Sequence, residues 1–417
     1  MLVVPHSRIF DVQGAPADAD LGGLVDRLAE PEAAEWALDD VVTTSVQSIS
    51  LNVSSSCNLS CSYCYASRGG FSGAQSASMD WDTARAAIDA LLARADPRNP
   101  VTVGFMGGEP FVRRALLHRA VHYASDRARA LEVNIGFSIT TNGTLLQPDD
   151  IALIRSHRMA ITVSIDGGAS VQDSQRPGAG RNPGGSHDAL ARATAPLLAD
   201  PGLAKVAARA TVLRTDMDIQ RRFDDIVGLG FREVGFSPLR ADKGSGDALQ
   251  AQDWPRYFEA LKKVAEAELR RARAGGGIRL TNLATALKQM ARGASSPYPC
   301  GAGGGYFSVG ADGRWYACHR AIGVKAFDLG DSGAIDAARR EAFLSARHVH
   351  AQEDCRTCWA RYLCSGSCHQ EAAARSASSC DFIRSWLEFC LAAYCELTDP
   401  RVAAAPNLPM EPAHGHA

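Results

Sequence analysis

The chain has 417 residues, 46% of them hydrophobic, with 44 basic and 46 acidic side chains and a formal net charge of −2. This composition excludes global disorder, and the near-balanced charge leaves no basic field for nucleic acid or an anionic membrane. No apolar run reaches membrane-span length and the first thirty residues lack a signal-peptide core, so the expected location is cytoplasmic with no membrane partner. Twelve cysteines in a reducing compartment point to metal rather than disulfides.

Residues 1–45 read as an N-terminal appendage. Leu2-Val3-Val4 and Ile9-Phe10-Asp11-Val12 suit short strands, and Leu21, Leu24, Val25 and Leu28 recur at helical spacing up to Pro31. From residue 48, strands and helices alternate. Strands are predicted over 49–53, 101–106, 135–139, 161–165, 206–213 and 234–236. Helices are predicted over 80–94 (with Asp80 as N-cap), from about 113, and over 187–199, 217–229 and 254–272. Six βα units with short loops imply a parallel sheet with helices outside, and the pattern leaves open sheet and barrel equally open. Residues 178–185 are Gly/Pro-rich and read as a mobile loop near the mouth. Residues 272–277 read as a hinge. Residues 400–417 read as a flexible tail in which His414 and His416 are not ligands.

The first of these strands delivers Cys57-Asn-Leu-Ser-Cys61-Ser-Tyr63-Cys64, a C-x3-C-x2-C spacing. Three thiolates this close can face one cluster, and a four-iron cluster with three protein ligands keeps one iron open. A structural zinc site wants a fourth ligand, which does not follow within reach. A disulfide reading fails on the odd count and the tight spacing. Three core cysteines remain the plain alternative. Gly107-Gly108-Glu109-Pro110 follows the second strand. Its glycines let backbone approach a ligand and its carboxylate can accept from an ammonium, although a plain turn has the same letters. Thr140, Thr141 and Asn142-Gly143 close the third strand. Ser164 and Asp166 end the fourth, and Arg176 lies twelve residues after Ser164. Arg176 is either a ligand contact or a surface residue; Asp166 either binds or caps the Gly167-Gly168 turn.

In this order the motifs resemble the radical S-adenosylmethionine (AdoMet) enzymes, known as radical SAM enzymes, over about residues 46–245. The resemblance implies an α/β fold: a partial (β/α)6 barrel, residues 46–275, with its functional residues at the strands' C-terminal ends. It implies a [4Fe–4S] cluster on Cys57, Cys61 and Cys64, with Tyr63 beside it. It implies that Gly107, Gly108 and Glu109 hold the methionyl amino group, that Ser164 and Arg176 hold the carboxylate, and that Thr140, Asn142 and Asp166 reach the rest of AdoMet. One electron from the cluster would then cleave AdoMet to a 5'-deoxyadenosyl radical that abstracts hydrogen from substrate.

Nine cysteines follow residue 299. Cys300, then Gly313 shortly before Cys318, then Cys355-x2-Cys358-x5-Cys364-x3-Cys368 and Cys380 together resemble the SPASM extension of peptide-modifying radical SAM enzymes, here residues 276–399. The resemblance implies two auxiliary [4Fe–4S] clusters, three in all: one on Cys355, Cys358, Cys364 and Cys380, the other on Cys300, Cys318 and Cys368. Cys390 and Cys395 lie in a predicted helix over 382–397. Core packing is their default, and Cys390 stands as the alternative to Cys380. A zinc ribbon explains four of the cysteines but not Cys300, Cys318 and Cys380. Residues 310–313 read as a hairpin turn.

Similar sulfatase maturases place a further cysteine six residues after the first of this field; here that residue is Tyr306. The fourth ligand of the Cys300 cluster is therefore either a substrate thiolate or one of Tyr306, His319, Cys390 and water. The same relatives carry an aspartate base directly after the cysteine at the Cys318 position. Here it is His319, either a general base or a donor to a cluster sulfide. This departure turns the expectation toward a maturase that installs thioether bonds. The alternatives are a carbon–carbon cross-link, formylglycine formation, or a non-catalytic Fe–S or zinc-binding regulator. The expected partners are a ribosomally made, Cys-containing peptide or protein and a flavodoxin- or ferredoxin-type reductant; the chain is expected to be a monomer.

Overall fold

Alternation builds the central sheet. In β1, Ser48–Ser54, the apolar residues Ile49, Leu51 and Val53 alternate with Ser48, Ser50, Asn52 and Ser54, and both rows are buried. The structure is a computed structural model that describes residues 2–3, 8–9, 45–67, 78–180, 184–200, 202, 206–239, 246–293, 296–331, 334–371 and 375–398. The expected helix near 21–28 and the tail with His414 and His416 lie outside the described residues; Leu2–Val3 pairs antiparallel with Arg8–Ile9.

The chain divides into two compact units. One contains Thr44–Asp253 with Gly301–Phe343; the other contains Trp254–Cys300 with the described residues from Leu344. The first unit holds the sheet. Its strands continue as β2 (Val101–Gly107), β3 (Ile135–Thr141), β4 (Ala160–Ser164), β5 (Val206–Val212) and β6 (Glu233–Pro238), all parallel and in sequence order. The α/β fold class expected from the sequence is thus present. Between the strands run α1 (Trp81–Leu92), α2 (Arg114–Ala130), α3 (Pro148–Ser156), α4 (Ala169–Gln175), α5 (His187–Leu198) and α6 (Ile219–Gly228). Asp80 caps α1 by accepting from the Thr83 amide at 2.8 Å, as its sequence position predicts. The sequence reading missed α3 and α4. They have nine and seven residues, too few for a clear period; α3 starts at Pro148 inside a Gln147–Asp150 capping box.

Three more strands lie beyond β1. β7 (Tyr306–Val309) pairs parallel with β1, β8 (Arg314–Tyr316) antiparallel with β7, and β9 (Asp328–Asp331) antiparallel with β8. The order is β9-β8-β7-β1-β2-β3-β4-β5-β6, so the sheet is open. Sequence assigned residues 301–343 to the C-terminal domain, yet they complete this sheet. The edge of β1 carries unpaired backbone groups, and β7, with Phe307 and Val309 buried, covers them. The 310–313 turn is present: Gly313 has φ +75° and the Gly310 amide donates to the Arg314 carbonyl at 2.9 Å.

The second unit is helical. The helix α7 (Trp254–Arg273) packs Trp254 and Tyr257 against Phe382 of a C-terminal helix, Ala377–Thr398, with ring centroids 5.4 and 5.0 Å apart. This contact groups α7 with the cysteine field rather than with the sheet. Among the described residues no helix is long and apolar enough to cross a membrane.

Candidate cluster and cofactor site

All four barrel motifs fall at the C-terminal ends of β1 to β4, where a parallel sheet gathers loops on one rim. The end of β2 is pinned first. Gly107 has φ +143°, and a Cβ there would lie 2.4 Å from the Ser54 carbonyl oxygen, so only glycine fits. The Gly108 amide donates to the Ser54 carbonyl at 2.7 Å, and the Glu109 amide to the Ser56 carbonyl at 3.0 Å. This delivers Glu109 to a fully buried position. Its carboxylate accepts from Thr141 Oγ1 and the Asn142 amide, both at 2.7 Å, and from the Phe111 amide at 3.2 Å. Of the two threonines that close β3, Thr141 therefore meets Glu109. The signal was available, because successive strand residues face opposite sides and only one of the two threonines can do so.

Burial raises the Glu109 carboxyl from its ordinary 4.5 to about 7, while hydrogen bonds from Asn142, Thr141 and Phe111 pull it back down. A carboxyl raised in this way supports the fold fully below its unfolded pKa, and that support is lost as pH rises through about 7. A shift of this size is worth about 3 kcal/mol. We expect the cofactor-free protein to lose about that much stability to urea between roughly pH 5 and pH 9, and Glu109→Gln to remove the loss. Parallel pH profiles in the two proteins would mean that Glu109 is ionised throughout.

The cysteine loop is zipped to the segment carrying Arg176. The Ser60 amide donates to the Pro177 carbonyl at 2.8 Å, the Ser62 amide to the Gln175 carbonyl at 3.1 Å, and the Ala179 amide to the Asn58 carbonyl at 2.9 Å. Leu59 and Gly178 form an antiparallel bridge. The start of the Gly/Pro-rich stretch is thus paired backbone.

Arg176 is buried, which removes the surface reading. Its Nε and Nη2 donate to the Asp166 carboxylate at 2.8 and 3.2 Å, and its guanidinium lies 5.2 Å from the Tyr63 ring centroid. Tyr63 Oη and the Thr211 amide also donate to Asp166. Arg176 and Asp166, which the resemblance gives to AdoMet, and Tyr63, which it puts beside the cluster, therefore satisfy one another here. Burial works against the Arg176 charge, yet Asp166 beside it holds its pKa above the ordinary arginine value. The sequence reading missed Arg222, fully buried on α6. Its Nε donates to the Asp166 carbonyl, and its Nη1 and Nη2 donate to the carbonyls of Asp216 and Thr211 at 3.1 and 2.6 Å. The available signal was a lone cation in the buried stripe Ile219, Arg222, Phe223, Ile226. Ser164 stands at the end of β4 and pairs in register with Arg209.

Cys57 Sγ accepts from the Leu59 amide at 3.4 Å and from Asn142 Nδ2 at 3.8 Å. Burial pushes its thiol up to about 11, and repulsion from Cys61 and Cys64 adds to this. Burial likewise raises Cys61, with Cys64 adding and Arg176 opposing. Three mutually repelling thiols with N–H donors aimed at sulfur fit a thiolate-held iron–sulfur cluster, which supplies the missing positive charge.

In the helical unit, burial pushes the Cys364 thiol up to about 11, with Cys355 and Cys380 adding repulsion. Cys380 is raised by burial, with Cys355 and Cys358 adding. Cys364 is thus within electrostatic reach of Cys355 and Cys380, and Cys380 of Cys355 and Cys358, and Arg375 donates to Cys355 Sγ. Cys390 is fully buried and pushed up to about 12 by burial. Cys300 and Cys368 belong to this unit; Cys318 belongs to the other.

In the sheet unit, Cys318 Sγ accepts from the Arg320 amide at 3.4 Å. His319 Nδ1 lies 3.1 Å from Tyr306 Oη, which lies 2.7 Å from Ser50 Oγ. The Arg320 guanidinium sits 4.4 Å from the Tyr65 ring centroid, and Tyr65 meets His319 edge-on. Burial, then the Arg320 charge, pushes His319 down to about 4, so it is neutral near pH 7 and a weak base. Burial holds the Tyr306 hydroxyl well above its usual range.

The family model of the Radical SAM superfamily matches residues 51–183. An uncharacterized protein, MJ0907 of Methanocaldococcus jannaschii, is 35% identical over 127 residues, which are 30% of this chain and 41% of that protein. The serine-type anaerobic sulfatase-maturating enzyme of Klebsiella aerogenes is 27% identical over 352 residues, covering 77% of this chain and 79% of that one. Among solved structures, native anSMEcpe with bound AdoMet superposes with a TM-score of 0.69 at 17% identity, covering 83% of this chain and 97% of that chain. Streptococcus suis SuiB bound to its precursor peptide SuiA gives 0.55 at 11% identity, covering 89% and 82%. With the motif loops of β1 to β4 gathered on one rim and the superfamily model matched across them, this chain is an enzyme that carries a radical SAM domain and is similar over most of its length to anaerobic sulfatase-maturating enzymes.

Proposed function

We propose that this enzyme is a peptide maturase that binds AdoMet and a ribosomally made, Cys-containing peptide and installs a thioether cross-link. When bound, the cluster and AdoMet supply a radical able to abstract hydrogen from an unactivated carbon. The chain's own part is position. Cys57, Cys61 and Cys64 would hold the cluster. Glu109, with Gly107 and Gly108, would accept from the methionyl ammonium, and Ser164 with the remaining donor of Arg176 would meet the carboxylate. The Cys355, Cys358, Cys364 and Cys380 set would hold one auxiliary cluster. A flavodoxin- or ferredoxin-type protein would supply electrons in the cytoplasm.

One observation carries the choice of bond. At position 319, where similar sulfatase maturases have a carboxylate base, this chain has a half-buried neutral histidine held to Tyr306. Such a group hydrogen-bonds well but takes protons poorly near pH 7, which disfavours a base-dependent oxidation. The Tyr306 hydroxyl meets Ser50 and His319 and stays a phenol, a poor iron ligand. That supports leaving a position on a Cys318-held cluster for a substrate thiolate. A second reading, formylglycine formation, is favoured by the 27% identity over 352 residues to the Klebsiella aerogenes sulfatase-maturating enzyme.

Mass spectrometry after anaerobic turnover with a candidate peptide separates the two. A thioether removes two hydrogen atoms and the alkylatable thiol together. A carbonyl that reacts with hydrazine would identify formylglycine and overturn the thioether proposal.

A further inference from the structure

We propose that Asn142 is a positioning residue that sets the reduction potential of the cluster on Cys57, Cys61 and Cys64, through an N–H donated to the Cys57 sulfur. The inference rests on the cluster reading above and concerns a role apart from AdoMet contact. Asn142 follows β3 and is buried. Its amide orientation is fixed by its partners. Oδ1 accepts from the Thr144 amide at 3.0 Å and from Thr144 Oγ1 at 2.7 Å. The NH2 group must then face the other way, where one N–H meets Asn58 Oδ1 at 2.8 Å and the other points at Cys57 Sγ at 3.8 Å. Asn58 Nδ2 donates to Thr144 Oγ1 at 2.8 Å and closes the ring.

Three side chains from two loops thus lock one another, and the Asn142 N–H left over from the ring is aimed at a thiol. The backbone of the same residue donates to Glu109 at 2.7 Å. Asn142 therefore holds the Cys57 sulfur and the Glu109 carboxylate in one frame. With both N–H groups and the carbonyl oxygen engaged, its side chain is committed to this ring.

An N–H aimed at a ligand sulfur favours the state with more negative charge on the cluster. It stabilises the reduced form over the oxidised form and raises the potential. A purely structural clamp would change stability or AdoMet affinity and leave the potential where it was.

The test is a redox titration of the full-length reconstituted enzyme, followed by electron paramagnetic resonance, using the cluster signal that changes when AdoMet is added. Asn142→Asp keeps the shape and the Thr144 bonds but removes the donors. At a solution potential where half of the wild-type cluster is reduced, the reduced-to-oxidised ratio is expected to fall about tenfold in this variant, a shift of about 59 mV for one electron. Asn142→Ala should shift it the same way by less. Thr144→Val, which frees the amide to turn, should also lower it, and it decides the question if neither Asn142 variant retains the cluster. Midpoints equal to wild type in the loaded variants would overturn the inference alone. A wild-type enzyme with no AdoMet-responsive signal would overturn the cluster reading as well.

Discussion

Replacing Cys57, Cys61 and Cys64 together by alanine is expected to abolish reductive cleavage of AdoMet while iron remains bound to the rest of the chain. The three thiols share the loop after β1, where Cys57 feels the charge of Glu109, Cys61 and Cys64 and meets Asn142 at the end of β3. The Cys355, Cys358, Cys364 and Cys380 set belongs to the other compact unit and has its own core of Val349, Cys355 and Tyr362. Removing the first triad should leave that unit folded. If three cubanes are present, iron should fall from about twelve to about eight per chain. Two measurements check this: 5'-deoxyadenosine by chromatography, and iron by metal analysis. Persistent 5'-deoxyadenosine in the triple variant would remove these cysteines from the chemistry. Persistent iron with no product would separate the radical site from the auxiliary set.

Asp166→Asn is expected to be the most destabilising single change near the site. Asp166 is fully buried and, among the described residues, carries the one carboxylate that Arg176 bonds, while also accepting from Tyr63 and the Thr211 amide. Removing one partner of a buried pair leaves the other charge uncompensated, at a cost of about 3–5 kcal/mol. The cysteine loop should loosen at the same time, because Arg176 lies in the segment zipped to residues 58–62. Urea unfolding of the sheet unit reads the first effect, and protease susceptibility of the 58–62 loop reads the second. The double variant Asp166→Asn, Arg176→Gln should be less destabilised than the sum of the singles, since neither charge is then left alone. Additive losses would show that the two residues act independently.

Local chemistry alone determined much of this protein. The C-x3-C-x2-C spacing, the glycines before Glu109 and the alternating strands are written in neighbouring residues, and short-range geometry fixes what they can form. β1 to β6 accordingly lie where the alternation placed them, and the motifs fall at the strand ends. Tertiary structure decided what the polar residues do with one another. Tyr63, Asp166 and Arg176 each read as a separate ligand contact, but burial forces polar groups to find partners, and these three found each other. Thr141 rather than Thr140 meets Glu109 because strand parity assigns the faces, and the strand's place in the sheet decides which face matters. Arg222 reads as a misplaced cation until the carbonyls of Asp166, Thr211 and Asp216 surround it. Residues 301–343 read as part of the cysteine field. They join the sheet because the open edge of β1 needs a hydrogen-bonding partner, a demand made by a strand some 250 residues away. Composition and spacing set which groups are present; burial and backbone pairing set which of them meet.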